Sequence, residues 1–261
     1  GKYHLTAYAL SAIKLVSLPF DFNSLEIAVR EIVREDSFAP KGFLNKVHFW
    51  RGSHSVAGKC AILKSANDLG FLSADVIAAA NEYQLSWFQY YDSRIHLDGL
   101  WRPMSSVVQL LFDTLYRLRH DPALAKYGAA AHLYWIYKIY SRELPLEINF
   151  DRAISDILNI YSKKLILESV PYCLDYDVLC ILNALSDHSN ISNRDRIDVV
   201  LYDVGISIVE YIETNSHLMW DHAFPGAFAA ISECGRSERF ADYLSRRGLV
   251  FRDPFEVVAW L

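Results

Sequence analysis

Apolar residues recur at intervals of three and four along most of this chain. Between residues 25 and 33, for example, the apolar positions are Leu25, Ile27, Ala28, Ile32 and Val33, with charged residues between them. That spacing is the repeat of an amphipathic helix, and no full strand length shows the strict alternation of a half-buried strand. The pattern therefore predicts an all-α protein.

Turn and cap residues divide this pattern into about a dozen helices. Gly70 follows one helix, Ser73 precedes the next, and Asp121-Pro122 places proline at a first helical position. The first predicted helix covers residues 3–17, and the second begins at Asn23 or Ser24. The others cover 41–50, 54–69, 73–93, 103–119, 121–141, 147–168, 174–187, 192–214, 223–234, 236–247 and 253–261.

The connections between these helices are short, and no linker rich in proline, glycine or serine divides the chain. We therefore expect one domain over residues 1–261. Short connections make successive helices antiparallel neighbours, so the chain is predicted to form helical hairpins. Such hairpins can close into an α/α-toroid-like domain or form an open solenoid or bundle, and the lack of a solenoid repeat in the sequence favours the toroid.

Composition narrows the possible partners. The chain has 261 residues, 52 % of them hydrophobic and 22 % charged, which is enough for a sizeable core. A net charge of −5 and the lack of a basic stripe argue against nucleic acid, and no apolar run is long enough for a membrane span.

The four cysteines lie in apolar contexts, which predicts buried free thiols in a cytoplasmic protein. The sequence starts at Gly1 rather than at methionine, so the native N-terminus can be missing.

Two distant segments share the pattern His-x-x-x-Gly-x-x-Ala. The first starts at His54, shortly after Trp50, and the second starts at His222, shortly after Trp220. Histidine and glycine four residues apart share a helical face, so the glycine removes a side chain one turn below the imidazole. At a helix start the helix dipole also favours neutral imidazole, which can act as a base or a metal ligand. The pattern predicts either a pocket with a histidine at its mouth or close packing of helices.

The same two segments carry a family resemblance. Residues 52–58 read GSHSVAG, and residues 220–227 read WDHAFPGA. Both resemble the glycine-bearing starts of inner helices in lanthionine-synthetase-C-like α/α toroids, which bind zinc through two cysteines and a histidine and activate a peptide thiol. This chain has no Cys-His pair at the family's position and no cysteine beside Trp220. The resemblance therefore implies the fold, and it implies no metal site or catalytic residue.

A second candidate region covers residues 87–103, which read WFQYYDSRIHLDGLWRP. Aromatic rings, carboxylates, a histidine and arginines together are typical of a polar ligand pocket or a sugar site. Asp92 and Asp98 could act as an acid and base pair, as the two carboxylates of glycosidases do. The alternative is structural: the aromatic rings pack inward, Asp98-Gly99 forms a turn, and the charges remain solvated. The tyrosine stripe over residues 127–140, which includes His132, predicts a core face.

Two functions remain open, because the chain lacks His-Glu-x-x-His, Gly-x-Ser-x-Gly, a glycine-rich phosphate loop and paired Cys-x-x-Cys motifs. The first is binding of a small molecule or peptide in a central pocket, with acid/base lyase or hydrolase chemistry as an extension. Its catalytic candidates are His54, His222 and Asp92, and its ligand-binding candidates are Trp50, Trp220, Arg94, His96 and Trp101. The second is a non-catalytic helical protein-protein interaction module, with structural histidines and a homodimer as one form. The sequence specifies neither a cofactor nor a metal.

Overall fold

The computed structural model describes residues 2–16, 22–34, 49–70, 72–101, 106–118, 121–145, 147–219 and 223–249. Within these ranges the chain forms eleven α-helices and one short 3-10 helix, and its one strand-like pairing is an isolated bridge between Ile95 and Trp101. The prediction of an all-α protein is therefore confirmed. No helix in these ranges is both long and apolar enough to cross a membrane.

The helices are numbered in chain order. The first six are α1 Lys2–Val16, α2 Phe22–Val33, α3 Phe49–Asp68, α4 Ala74–Asp92, α5 Ser106–Tyr116 and α6 Pro122–Ile139. The remaining five are α7 Phe150–Tyr161, α8 Cys173–Ser186, α9 Ile191–Asn215, α10 Ala223–Cys234 and α11 Glu238–Arg246. The 3-10 helix, Ser216–Leu218, directly follows α9.

The helices belong to two compact units, α1 to α6 in the first unit and α7 to α11 in the second unit. In the first unit α3 packs on α1 and α6, and α2 packs on α3 and α4. Helix α6 is buried along much of its length: its alanines Ala129, Ala130 and Ala131 allow neighbours to approach, while Tyr134 and Tyr137 fill the core. The tyrosine stripe is thus a core face, as predicted. A single domain over residues 1–261 stays a prediction.

The second unit is built around the contact between α8 and α10. A Cβ atom added at Gly226 of α10 would lie 2.4 Å from the backbone nitrogen of Cys173, so glycine lets the start of α8 approach. The long helix α9 packs on α7, α8, α10 and α11. Gly205 of α9 has the same role towards α11, because an added Cβ would lie 2.6 Å from the ring of Phe240.

Several helix boundaries confirm the predicted caps, and others differ. The Asp121 side chain accepts a hydrogen bond from the backbone nitrogen of Ala123 at 2.8 Å and caps α6 as expected. Helix α9 starts at Ile191 rather than Ser192, because Asn190 is the residue that caps it. The predicted helix over 41–50 coincides with the described residues only at 49 and 50, which belong to α3, and the one over 253–261 lies outside them.

The helix predicted over 147–168 ends earlier, at Tyr161. The carboxylate of Asp175 accepts hydrogen bonds from the backbone nitrogens of Leu167 at 2.8 Å and Tyr172 at 3.0 Å. These two bonds hold the segment before α8 in a non-helical path, which the apolar spacing of the sequence does not reveal.

All four cysteines are free thiols. Cys60, in the first unit, and Cys180 and Cys234, in the second, are buried, whereas Cys173 at the start of α8 is half-buried. Burial raises the pKa of the Cys173 thiol to about 12 and also raises the pKa values of Cys60 and Cys234. These thiols are therefore protonated at neutral pH.

Helix α5 and the turn after it present apolar side chains to solvent. Five of them are between 39 % and 81 % exposed: Val107, Leu110, Leu111, Leu115 and Leu118. Phe112 of the same helix is fully buried, which sets the opposite face of α5 against the core of the first unit.

Candidate functional site

His54 lies where α3 packs on α6. Its ring stacks on the ring of His132, with centroids 4.7 Å apart and an interplanar angle of 25°. The hydroxyl of the buried Ser53 is 3.0 Å from Nδ1 of His132. The fold therefore brings together a serine and two histidines, of which only His54 was a candidate from sequence.

The expectation that His54 opens a helix is wrong. Helix α3 begins at Phe49, because nothing in the residues after Phe49 stops the helix, so His54 lies in its second turn. The helix dipole acts mainly on the first turn and gives no special reason for a neutral imidazole there. Trp50 lies in the first turn of α3, whereas Trp220 and His222 lie outside the described residues.

Asp92 is held in a structural network at the end of α4. Its carboxylate accepts a hydrogen bond from the Tyr137 hydroxyl. It also forms an ion pair with Arg142, whose nitrogen is 2.6 Å from the carboxylate. The Arg142 guanidinium also lies over the Phe88 ring, 4.4 Å from its centroid. The carboxylate thus joins the end of α4 to α6 and to the loop after it.

The other candidate residues between 87 and 103 form separate contacts and do not share one site. Arg94 donates to the carbonyl oxygen of Tyr90 at 2.5 Å and lies 3.6 Å from the centroid of the Tyr90 ring. Trp101 is buried against Tyr91, whereas His96 is exposed and its backbone nitrogen donates to the Leu100 carbonyl in the turn.

The structural alternative for residues 87–103 predicted several of these features. Trp87 and Tyr91 are buried, and Gly99 has a φ of 74°, which fits the predicted turn. Asp92 and Arg94 are half-buried, and both also interact with neighbouring groups.

The second unit contains a cavity of about 420 Å³, called here the Asn183 cavity. It is lined by α8, α9 and the turn after α10. Ile197 and Leu201 are its buried apolar residues, and its charged residues are Asp187, Arg194, Asp198 and Arg236. A concave site with an apolar base and a few polar groups is the usual form of a small-molecule site.

Asn183 gives the cavity its most unusual group. The side-chain nitrogen donates to the Glu233 backbone carbonyl at 2.9 Å and to the Glu233 carboxylate at 2.7 Å. Because both of these partners are acceptors, the orientation of the amide is fixed, and its oxygen Oδ1 faces away from Glu233. Oδ1 is buried and accepts no hydrogen bond from the described part of the chain. A buried acceptor left in this state costs about 1–3 kcal/mol.

The two arginines of the cavity differ in their pairing. Arg236 donates to the Asn183 carbonyl oxygen at 2.9 Å and lies 3.5 Å from the Asp187 carboxylate. Arg194 forms neither a hydrogen bond nor an ion pair with any residue in the described ranges. The guanidinium of Arg194 is exposed and available to an anionic group.

Two carboxylates are buried at the start of α8. Burial raises the pKa of Asp175 to about 6, although two backbone N–H groups favour its ionised form. Burial also raises the pKa of Asp177 well above its usual value, and the negative charge of Asp175 adds to this effect. Perturbed carboxylates of this kind occur both in active sites and in structural networks, and Asp175 has a clear structural role.

No metal centre is seen among the residues whose positions are described, since no three His, Cys, Asp or Glu side chains are arranged to hold an ion.

Comparisons with protein families, characterised proteins and solved structures give no match to this chain. The resemblance to lanthionine-synthetase-C-like toroids thus depends on the two quoted segments alone. At Gly226 the structure places backbone of α8 where a side chain would lie, as the packing alternative predicts.

Sequence reasoning missed the residues of the Asn183 cavity. One signal was available, because Asn183 interrupts the apolar run from Val178 to Leu185 and an amide in such a run needs partners. Arg194 and Arg236 gave no signal, because isolated arginines near helix ends are ordinary surface residues.

Proposed function

We propose that this protein binds a small polar molecule with a carboxylate or phosphate group in the Asn183 cavity. The observation that supports this most is the exposed guanidinium of Arg194, which has no hydrogen bond or ion pair within the described ranges and lines a cavity that also contains the buried side chains of Ile197 and Leu201. An anionic ligand in this cavity would pair with Arg194 and cover the two apolar side chains.

The proposal is tested by thermal unfolding of the whole chain with a panel of small carboxylates and phosphates. At least one compound should raise the Tm of the wild type by several degrees, because ligand at 100 times its Kd stabilises by about 2.7 kcal/mol. Arg194→Gln should abolish this shift. Arg196→Gln is the matched control, since Arg196 is an exposed arginine of the same helix that does not line the cavity. Equal shifts in both variants, or no shift with any compound, would contradict the proposal.

A second candidate function is acid/base or hydrolytic catalysis by the cluster of Ser53, His54 and His132. It is favoured by the 3.0 Å contact between the Ser53 hydroxyl and His132, because a hydroxyl within hydrogen-bond reach of an imidazole is the arrangement of an activated nucleophile. In this hypothesis His132 is the base, and the stacked His54 orients it. The roles proposed for His222, Trp50 and Trp220 stay predictions.

This candidate is tested with a fluorophosphonate probe, which labels activated serines. Labelling should occur at Ser53 and be lost in Ser53→Ala and His132→Ala. Ser65→Ala is the control, since Ser65 is a buried serine on the same helix. Labelling that survives in Ser53→Ala, or no labelling of the wild type, argues against catalysis by Ser53.

The alternative of a helical interaction module finds its support in the exposed apolar face of α5. A toroid-like or solenoid-like arrangement also stays a proposal. It is supported by contacts between helices that do not follow each other directly along the chain, α1 with α3 and α8 with α10.

A further inference from the structure

We infer, building on the proposed function, that the ligand of the Asn183 cavity is a small zwitterion of the amino-acid class. Such a molecule carries a carboxylate and an ammonium group a few bonds apart. The inference depends on the charges that the cavity leaves unpaired.

Arg194 and Asp198 carry opposite charges one turn apart on α9, and both line the cavity. Neither side chain forms an ion pair or hydrogen bond within the described ranges, and they do not pair with each other. Residues four apart on a helix have Cβ atoms about 5–6 Å apart, and an arginine that precedes its acidic partner is in the less favourable order for pairing. The surface of α9 therefore offers one cationic and one anionic group to the same ligand.

The remaining polar groups restrict the ligand further. Arg236 and Asp187 satisfy each other, so they demand no charge from the ligand. A simple anion such as phosphate would neutralise Arg194 but would bring further acceptors to Asp198.

A zwitterion meets both demands. Its carboxylate pairs with Arg194, and its ammonium group donates to Asp198. The apolar side chains of Ile197 and Leu201 leave room for an aliphatic substituent on the ligand.

The experiment is calorimetric titration of the whole chain with each of the twenty L-amino acids, and of the strongest binder beside its N-acetyl and amide derivatives. Both derivatives should bind at least about tenfold more weakly, because each loses one charge-assisted contact. Arg194→Gln and Asp198→Asn should each weaken binding by a similar factor. The matched controls Arg196→Gln and Asp195→Asn, at exposed positions of α9 outside the cavity, should leave it unchanged.

Two outcomes overturn the inference in different ways. If N-acetyl amino acids or inorganic phosphate bind, depend on Arg194 and are insensitive to Asp198→Asn, the ligand is a simple anion and the proposed function survives. If amino acids, their N-acetyl derivatives and phosphate all fail to bind, the inference and the proposed function fail together.

Discussion

Asp177 shows how a single buried carboxylate affects this protein. It lies in the first turns of α8, it is 5 % exposed, and no residue in the described ranges donates a hydrogen bond to it. Asp175, two residues earlier, is also buried, but its carboxylate holds two backbone N–H groups. Asp175 therefore organises the chain before α8, whereas Asp177 is buried without a hydrogen-bond donor from the described residues, and burial raises its pKa.

The raised pKa of Asp175 predicts that the stability of the protein depends on pH. A carboxyl group whose pKa is raised on folding binds its proton more tightly in the native state, so its contribution is most favourable below the unfolded pKa and declines as pH rises through the folded pKa. For Asp175, that window extends from about 3.9 to the folded value of about 6. At 1.36 kcal/mol per pH unit, ionisation of this group costs at most about 3 kcal/mol.

We expect Asp177→Asn to stabilise the protein at pH 7, because the amide is neutral at every pH, whereas the raised pKa of Asp177 makes the wild type take up a proton or bury a charge when it folds. The gain over wild type should grow as pH rises above about 4, since the unfolded state releases the Asp177 proton near its usual pKa and the folded state holds it to higher pH. Urea unfolding at several pH values measures the gain. Asp195→Asn, at an exposed position, should show no such trend, and a gain for Asp177→Asn that is constant with pH would contradict the prediction.

For individual residues, the sequence predicts the burial and partners of some side chains well and of others poorly. The buried tyrosines of α6 and the Asp98-Gly99 turn follow from spacing and from turn chemistry. The partners of Asp92 do not, because Tyr137 and Arg142 reach it only after α4 and α6 have packed. Likewise, nothing in the sequence pairs Ser53 with His132.

Among the helices, the contact between α8 and α10 depends on one missing side chain. An added Cβ at Gly226 would lie 2.4 Å from backbone nitrogen and 2.7 Å from backbone carbon of the segment that starts α8. Backbone atoms cannot rotate away as a flexible side chain can, so the helices would have to separate.

Gly226→Ala should therefore destabilise the protein by about 3 kcal/mol. The direction is informative, because glycine to alanine inside a helix normally stabilises by about 0.5–1 kcal/mol. The control Phe228→Tyr keeps the ring at a position of α10 that is 45 % exposed, so it should change the free energy of unfolding by less than about 0.5 kcal/mol. Equilibrium denaturation measures both changes, and a stabilised Gly226→Ala protein would show that the two helices are not tightly packed.

The existence of the described helices was predictable, whereas some of their ends were not. Helix α6 begins at the predicted cap because Asp121 and Pro122 act locally. Helix α3 starts earlier than predicted and α7 ends earlier, and for α7 the cause is a carboxylate on the next helix. Local signals thus predict a boundary well, and distant hydrogen bonds override the apolar spacing.

For the whole molecule, the sequence correctly indicated an all-helical chain, and it contained little information about where a ligand would bind. The residues of the Asn183 cavity come from α8, α9 and the turn after α10, so the cavity exists only once these elements have packed. The His-x-x-x-Gly pattern includes Gly226 and His54. In the structure Gly226 packs against the start of α8, and His54 contacts α6.

The four thiols can report which part of the molecule opens first. Cys60 is the one cysteine of the first unit, and the second unit contains Cys173, Cys180 and Cys234. Burial limits access to Cys60, Cys180 and Cys234, and the raised pKa values of Cys60, Cys173 and Cys234 keep these three thiols in the unreactive protonated form. In mild denaturant, an alkylating reagent should therefore add one group to molecules that open only the first unit, three to those that open only the second, and four to those that unfold completely. Intact mass spectrometry of the alkylated protein would distinguish stepwise from all-or-none unfolding without any engineered label.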